Sequence, residues 1–235
     1  MDPQQKAIAE EFDRYNSKYS EAVNAALLVP GMNVDYFTRV KSEYLVDLTR
    51  EALGETTALS ALDIGCGVGN YHGLIKDRFR SIDGCDVSSE SIERARTRHP
   101  DLTYQSYDGS RLPYGDESFD VAFTICVMHH VPPSAWTNFV GEMRRVLRKG
   151  GLALVFEHNP YNPLTMKVVN RCPFDADAVL LKPKETKHLF EEAGFQDIQV
   201  RSILNIPSTG SLTRRIDRFL GHLPSGAQYF LSART

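Results

Sequence analysis

The stretch ALDIGCGVGN, residues 61–70, carries Gly65, Gly67 and Gly69 at alternate positions behind an apolar run that holds one acid, Asp63. Glycine is costly to order, so three in five residues need a physical reason. The spacing implies that another group comes so close to this backbone that side chains are excluded from it.

Working outward, the rhythm around this loop is that of short apolar runs alternating with helical patterns. LSALDIG reads as a buried strand, and the loop runs into a helix expected near 68–79. Further strands are expected at 81–87, 102–107, 120–128, 152–158, 197–204 and 227–233. Helices are expected from Ser88 or Ser89 to about 98, over 134–148 and over 184–195. Such alternation predicts a doubly wound α/β fold: a mostly parallel seven-stranded sheet, its last strand antiparallel, with helices on both faces. Upstream, Phe12, Tyr15, Tyr19, Val23 and Leu27 form one helical stripe. VPGMN at 29–33 breaks it, and a second helix fits 35–53 with Asp35 as its N-cap. Residues 1–54 are therefore expected to form an N-terminal helical cap, and 55–235 the main domain. The least regular pieces, 159–183 and 205–226, read as insertions that line a substrate pocket.

In a doubly wound sheet, ligands bind outside the carboxyl ends of the strands where strand order reverses. The loop after the first strand lies there. Its spacing is G-x-G-x-G, with Asn70 where a dinucleotide fingerprint has its third glycine, which counts against NAD or FAD. Asp86, 21 residues after Gly65, ends the second strand, where a carboxylate can accept from both ribose hydroxyls. Asp108 and Gly109 follow the third strand, where an acid can accept from an adenine amine. Together these point to a nucleoside ligand without a pyrophosphate.

The series ALDIGCGVGN, GCDVS, DGSRLPYGDESFDVAFTICVMHHV and EMRRVLRKGGLALVFEH resembles the class I S-adenosylmethionine-dependent methyltransferases, over residues 59 to about 158. The resemblance implies the cofactor S-adenosyl-L-methionine, with S-adenosyl-L-homocysteine as product. It further implies that Asp63 organises the loop and the methionine end, while Gly65, Cys66, Gly67 and Gly69 pack on the methionyl and ribose parts. Asp86 would hold the ribose, Val87 the adenine face, and Asp108 with Gly109 the adenine edge. Thr124 and Ile125 would offer backbone to the methionyl amine, and FDRYNSKYS, with Tyr15 and Tyr19, would fold over the cofactor. Cys126 departs from the pattern, since many relatives have Asn or Ser there.

Methyl transfer from a sulfonium is an in-line displacement, so alignment in a dry pocket is the main task, with a general base where the acceptor is a hydroxyl or ammonium. His130 and His158, at the ends of the fourth and fifth strands, are the candidate bases, with His129 beside them. Tyr19 could bring its hydroxyl near the acceptor. Asn159 and Asn162 could bind substrate or form turns. Arg171, Arg201, Arg214 and Arg215 could receive an anionic group. His72, His99, His188 and His222 read as surface residues.

Composition bounds the partners. Net charge is −3 over 235 residues, which gives no overall signature of nucleic-acid binding. Residues 160–235 hold 10 basic and 7 acidic side chains, against 17 and 23 before them. The four cysteines form no C-x-x-C pair, so neither a disulfide framework nor a zinc site is expected, and no metal ligand is assigned. No signal-peptide layout or membrane-spanning run is read, so a cytoplasmic location is expected. The expected function is methyl transfer to a small molecule, an oxygen acceptor before nitrogen or carbon, including a sugar- or carrier-linked one. The rivals are a nicotinamide-dependent oxidoreductase and a cofactor-binding protein without turnover.

Overall fold

A computed structural model describes residues 33–175, 177–206 and 210–235. Helix α1 is Val34–Leu53, β1 is Ser60–Ile64, α2 is His72–Ile75, β2 is Ser81–Asp86 and α3 is Ser89–Arg98. β3 is Thr103–Ser106, β4 is Phe119–Ile125, α4 is Trp136–Val146, β5 is Leu147–His158 and α5 is Pro163–Val169. α6 is Pro183–Glu192, β6 is Gln196–Ile203, α7 is Ser211–Leu220 and β7 is Gln228–Arg234. The strands form one seven-stranded sheet of order β3-β2-β1-β4-β5-β7-β6. β1 to β5 are parallel, and β7 runs antiparallel between β5 and β6.

Period-two alternation along the central strands sends apolar side chains to both faces. Val121, Phe123, Leu154 and Phe156 pack with Val40, Tyr44, Leu45 and Leu48 of α1. Ala122, Ala153 and Val155 pack with Phe139, Val140 and Met143 of α4. The sheet is therefore covered on both sides, as parallel strands require.

Several local expectations are corrected. α1 is capped by Asn33, whose Oδ1 accepts from the Tyr36 amide at 2.8 Å, and not by Asp35. The helix expected near 68–79 shrinks to α2 and a 3-10 turn at Lys76–Arg78, because Gly67 and Gly69 hold positive φ (51° and 71°) and delay its start. Two helices arise in the segments read as irregular. In α5 the Asn162-Pro163 pair is an N-cap followed by proline at N1, not a turn. α7 was legible from Leu212, Ile216, Phe219 and Leu220 at helical spacing and was passed over; its apolar side faces outward, with Leu212 68% and Phe219 80% exposed.

α7 is anchored through Asp217, which is 3% exposed. Its carboxylate accepts from Tyr44 Oη (2.6 Å) and from the amides of Leu204 (2.8 Å), Asn205 (2.7 Å) and Ile206 (3.2 Å). Arg214 pairs with Glu43 and Asp47, and Arg218 with Glu51. Two arginines of the basic C-terminal part are thus engaged in docking α7 onto α1. Removing the Asp217 carboxylate strands four buried or half-buried donors. Asp217→Ala is expected to lower unfolding free energy by at least about 3 kcal/mol in urea denaturation, well beyond an ordinary surface substitution.

Candidate active site

Strand order reverses between β1 and β4. Their pairing ends at Asp63↔Phe123, while β4 continues along β5 to Ile125↔Phe156. The two strands part here, and this opens the crevice in which doubly wound sheets bind ligands.

The glycine loop bridges β1 and α2 at this crevice. Gly65 and Cys66 both donate their amides to Cys85 O, at 2.8 and 3.1 Å. All three glycines have positive φ, but they answer to different neighbours. A Cβ on Gly65 would lie 2.5 Å from Val127 Cγ2. A Cβ on Gly69 would lie 3.0 Å from Tyr104 Oη and 3.1 Å from both His72 and His99. A Cβ on Gly67 would meet nothing within 4 Å. Close approach of a ligand therefore remains the reading for Gly67 alone, whereas Gly65 and Gly69 are fixed by the protein's own packing.

Beneath Gly69 runs a buried chain of polar groups. His72 Nε2 lies 3.0 Å from Asp63 Oδ2, and His72 Nδ1 lies 2.6 Å from Tyr104 Oη. Both ring nitrogens of His72 are thus engaged, Nε2 with the acid and Nδ1 with the phenol. His99 Nε2 lies 3.0 Å from Gly69 O. His72 and His99 are thus buried supports of the loop and not the surface residues expected from sequence.

Asp86 holds the loop from the side. Its Oδ2 accepts from the Gly67 amide at 2.8 Å and its Oδ1 from the Ser88 amide at 2.9 Å. Burial pushes its carboxyl up to about 6, against the pull of those amides. Val87 follows it, half-buried. Asp108 is exposed and closes an Asx turn, Oδ1 accepting from Ser110 Oγ (2.6 Å) and the Ser110 amide (2.9 Å). These bonds hold its carboxyl down at about 2. Gly109 continues that turn with φ 80°. Thr124 and Ile125 end β4, both buried, and the Thr124 hydroxyl has no hydrogen-bond partner among the described residues. An open cradle at Gly67 and an unpartnered buried hydroxyl fit a bound nucleoside at this switch point. Tyr15 and Tyr19 lie outside the described residues.

Cys126, at the tip of β4, adopts φ 57°, and its sulfur accepts from Lys41 Nζ at 3.4 Å and Gln228 Nε2 at 3.6 Å. Lys41 is a site-adjacent residue that motif reading missed. It is buried, and its ammonium lies 5.7 Å from the Tyr71 ring centroid. A signal was present: Lys41 falls four residues after Phe37 and four before Leu45, on the apolar stripe of the helix.

The turn after β4 is held by Glu157, a residue the motif reading also passed over. Its Oε1 accepts from the amides of Val127 (3.1 Å) and Met128 (2.8 Å), and its Oε2 lies 2.5 Å from His129 Nδ1. Burial opposes a charge on His129, but Glu157 and Asp175 outweigh it and lift its pKa to about 10. Burial and the charge on His129 push His130 down to about 3 and His158 down to about 4. The structure does bring the two candidate bases together around His129, whose ring centroid is 4.1 Å from that of His130 and 5.1 Å from that of His158.

Asn159 and Asn162 serve the fold. Asn159 Nδ2 donates to Pro224 O (2.9 Å) and Gly226 O (2.7 Å), and Asn162 caps α5 while donating to Ser225 O (2.6 Å). Their place beside β5 is a structural one.

Residues 62–155 match a family described as a methyltransferase domain. A demethylmenaquinone methyltransferase of Beutenbergia cavernae is 32% identical over 117 residues, covering 49% of this chain and 48% of that protein. A tRNA (carboxymethyluridine(34)-5-O)-methyltransferase of Saccharomyces cerevisiae is 40% identical over 98 residues, covering 40% of this chain and 34% of that protein. The chain spans about half the length of the curated relatives it matches. A geranyl diphosphate C-methyltransferase from Streptomyces coelicolor A3(2), crystallised with S-adenosyl-L-homocysteine, superposes with TM-score 0.68 at 13% identity, over 99% of this chain and 98% of that one. Residues 62–155 are thus similar to a methyltransferase domain, and the fold is the one seen in solved S-adenosylmethionine-dependent methyltransferases.

The glycines separate by experiment. Gly65→Ala combines positive-φ strain with a clash against Val127 and is expected to cost about 3 kcal/mol of stability. Gly67→Ala carries only the strain and is expected to cost about 1 kcal/mol. Urea denaturation of both variants measures the difference.

Proposed function

We propose that this chain transfers the methyl group of S-adenosylmethionine to an oxygen of a small-molecule acceptor. The observation that carries the reading is the open space at Gly67, bordered by the half-buried Asp86 carboxylate at the end of β2, beside the β1–β4 switch point. In this proposal Asp86 accepts from the ribose hydroxyls, Val87 backs the adenine, and Asp108 takes the adenine amine on the oxygen not used in its turn. Asp63, Cys66 and the ends of β1 and β4 at Thr124 and Ile125 border the methionyl part. Tyr15 and Tyr19 are proposed to close over it.

The sulfonium supplies the activated methyl when bound. What remains for the protein is to bring an acceptor into line and keep water out. His130 is the proposed base. Its side chain is 16% exposed, and at neutral pH its imidazole is uncharged and can accept a proton. A small-molecule acceptor is favoured over nucleic acid by the net charge of −3 and by the engagement of Arg214 and Arg218 with acids of α1.

Transfer of labelled methyl from S-adenosylmethionine to fractionated cell extract tests the reading. Label is expected in a small organic product, identified by mass. Label confined to the RNA fraction would overturn the acceptor class, and binding without any labelled product would overturn turnover. His130→Ala is expected to lower turnover about 100-fold with cofactor affinity little changed.

Asp86→Ala is expected to weaken S-adenosylmethionine binding by about 1–3 kcal/mol, the cost of hydroxyls left unpaired. Because the Asp86 pKa is raised to about 6, its carboxyl gains a proton as pH falls through that value and loses acceptor capacity. Affinity of the unmodified chain should therefore fall between about pH 7 and pH 5, and titration calorimetry should find that fall absent in Asp86→Ala.

A further inference from the structure

Three side chains from separate segments meet beside the ends of β4 and β5. His129 comes from the turn after β4, His158 is the last residue of β5, and Asp175 closes the 3-10 turn Pro173–Asp175. One ligating atom from each, a ring nitrogen or a carboxylate oxygen, lies within 4.8 Å of the other two. We propose that His129, His158 and Asp175 form a binding site for a divalent transition metal of the zinc type, which presents an oxygen acceptor to the methyl donor.

The support of His129 is the first argument. Its Nδ1 lies 2.5 Å from Glu157 Oε2, and Glu157 is itself fixed by two backbone amides. That leaves Nε2 as the nitrogen facing Asp175. A carboxylate orienting one ring nitrogen so that the other can bind metal is the usual outer support of a histidine ligand.

Spacing is the second. His129 Nε2 and Asp175 Oδ1 are 3.6 Å apart, beyond hydrogen-bond length. Two atoms each about 2.0–2.2 Å from one ion at tetrahedral angles sit roughly 3.4 Å apart. The His129–Asp175 edge is thus near the required length, and the widest edge of the cluster, up to 4.8 Å, needs to contract by up to about 1.4 Å. Asp175 lies on a turn outside the sheet, so its approach to the histidines does not require a strand to shift. A nearby tie, the Val179 amide donating to His129 O at 2.9 Å, keeps that segment beside the histidine.

Donor chemistry is the third. Two imidazoles and one carboxylate suit zinc and its neighbours, whereas magnesium and calcium take oxygen donors. Three protein ligands leave a coordination position open, as in catalytic and not structural sites.

Location connects the site to methyl transfer. Val127, in the same turn as His129, is the residue against which Gly65 packs. An acceptor hydroxyl bound in the open position would be acidified and would pass its proton to His130, the base of the proposed function. Its oxygen would then bond to the methyl carbon as the carbon–sulfur bond breaks, sulfur keeping the electron pair. The acceptor class is a molecule with a metal-binding hydroxyl. This catalytic role depends on the methyl-transfer reading, whereas the metal site does not.

The test uses the full chain, stripped with chelator and titrated with cobalt(II), followed by calorimetry and visible absorption. One equivalent should bind, with the absorption of a low-coordinate site, and zinc(II) should displace it. His158→Gln and Asp175→Asn should each weaken binding about 100-fold, and Glu157→Gln about 10- to 100-fold. His188→Ala, on the exposed face of α6, should change nothing. Asp175→Asn, outside the sheet, keeps the test readable should the buried variants fail to fold. S-adenosylmethionine affinity on the same stripped samples should be unaffected by Asp175→Asn. Loss of cofactor binding by the unmodified chain would instead count against the methyltransferase reading. Absence of one-to-one cobalt(II) binding at millimolar metal, or equal affinity in Asp175→Asn, would overturn the site and leave a proton-bridged histidine–carboxylate clamp.

Discussion

The turn after β4 hangs from one buried carboxylate. Glu157 takes two backbone amides through one oxygen and meets His129 with the other. A buried acid without such partners would cost several kcal/mol, so the turn and the acid require each other. The consequences spread outward. Val127, fixed by this grip, closes the space beside Gly65 and so shapes the glycine loop. His129, fixed by the same grip, presents its second nitrogen to Asp175 and brings its ring against His130 and His158.

A second polar assembly holds the loop from below. Asp63, His72 and Tyr104 come from β1, α2 and β3, and their contacts tie three neighbouring elements under Gly69. The loop is thus clamped from two directions, by Val127 against Gly65 and by the histidine chain against Gly69. Between these clamps Gly67 faces open space while its amide is held by Asp86. A loop held on both sides has little conformational freedom left to lose at its one bare position.

Much of this was legible in the sequence. Alternating apolar runs and helical periods gave the layered α/β sheet, since burial on both faces leaves strands continuous and apolar. The placement of Asp86 and Asp108 followed from the rule that ligands gather at strand ends. Local reading failed where the environment inverted local preference. Asn162-Pro163 served as a helix start instead of a turn. α7 carries a clear helical period in Leu212, Ile216, Phe219 and Leu220, but that apolar side faces outward and the buried group is the acid Asp217, so the pattern did not mark a core face. His72 and His99 looked like solvated histidines because their partners, at positions 63, 104 and 69, are distant in sequence or hidden in backbone.

The sequence by itself determined the class of fold, the glycine loop and the strand-end acids, because these depend on short-range periodicity and on backbone conformations that glycine permits. Only the tertiary structure decided which glycine faces open space, that Lys41 is buried against Cys126, and that Glu157, His129, His158 and Asp175 converge. Those facts depend on how crossover connections bring separate strand ends together, and no local propensity records the distance between two residues on different strands.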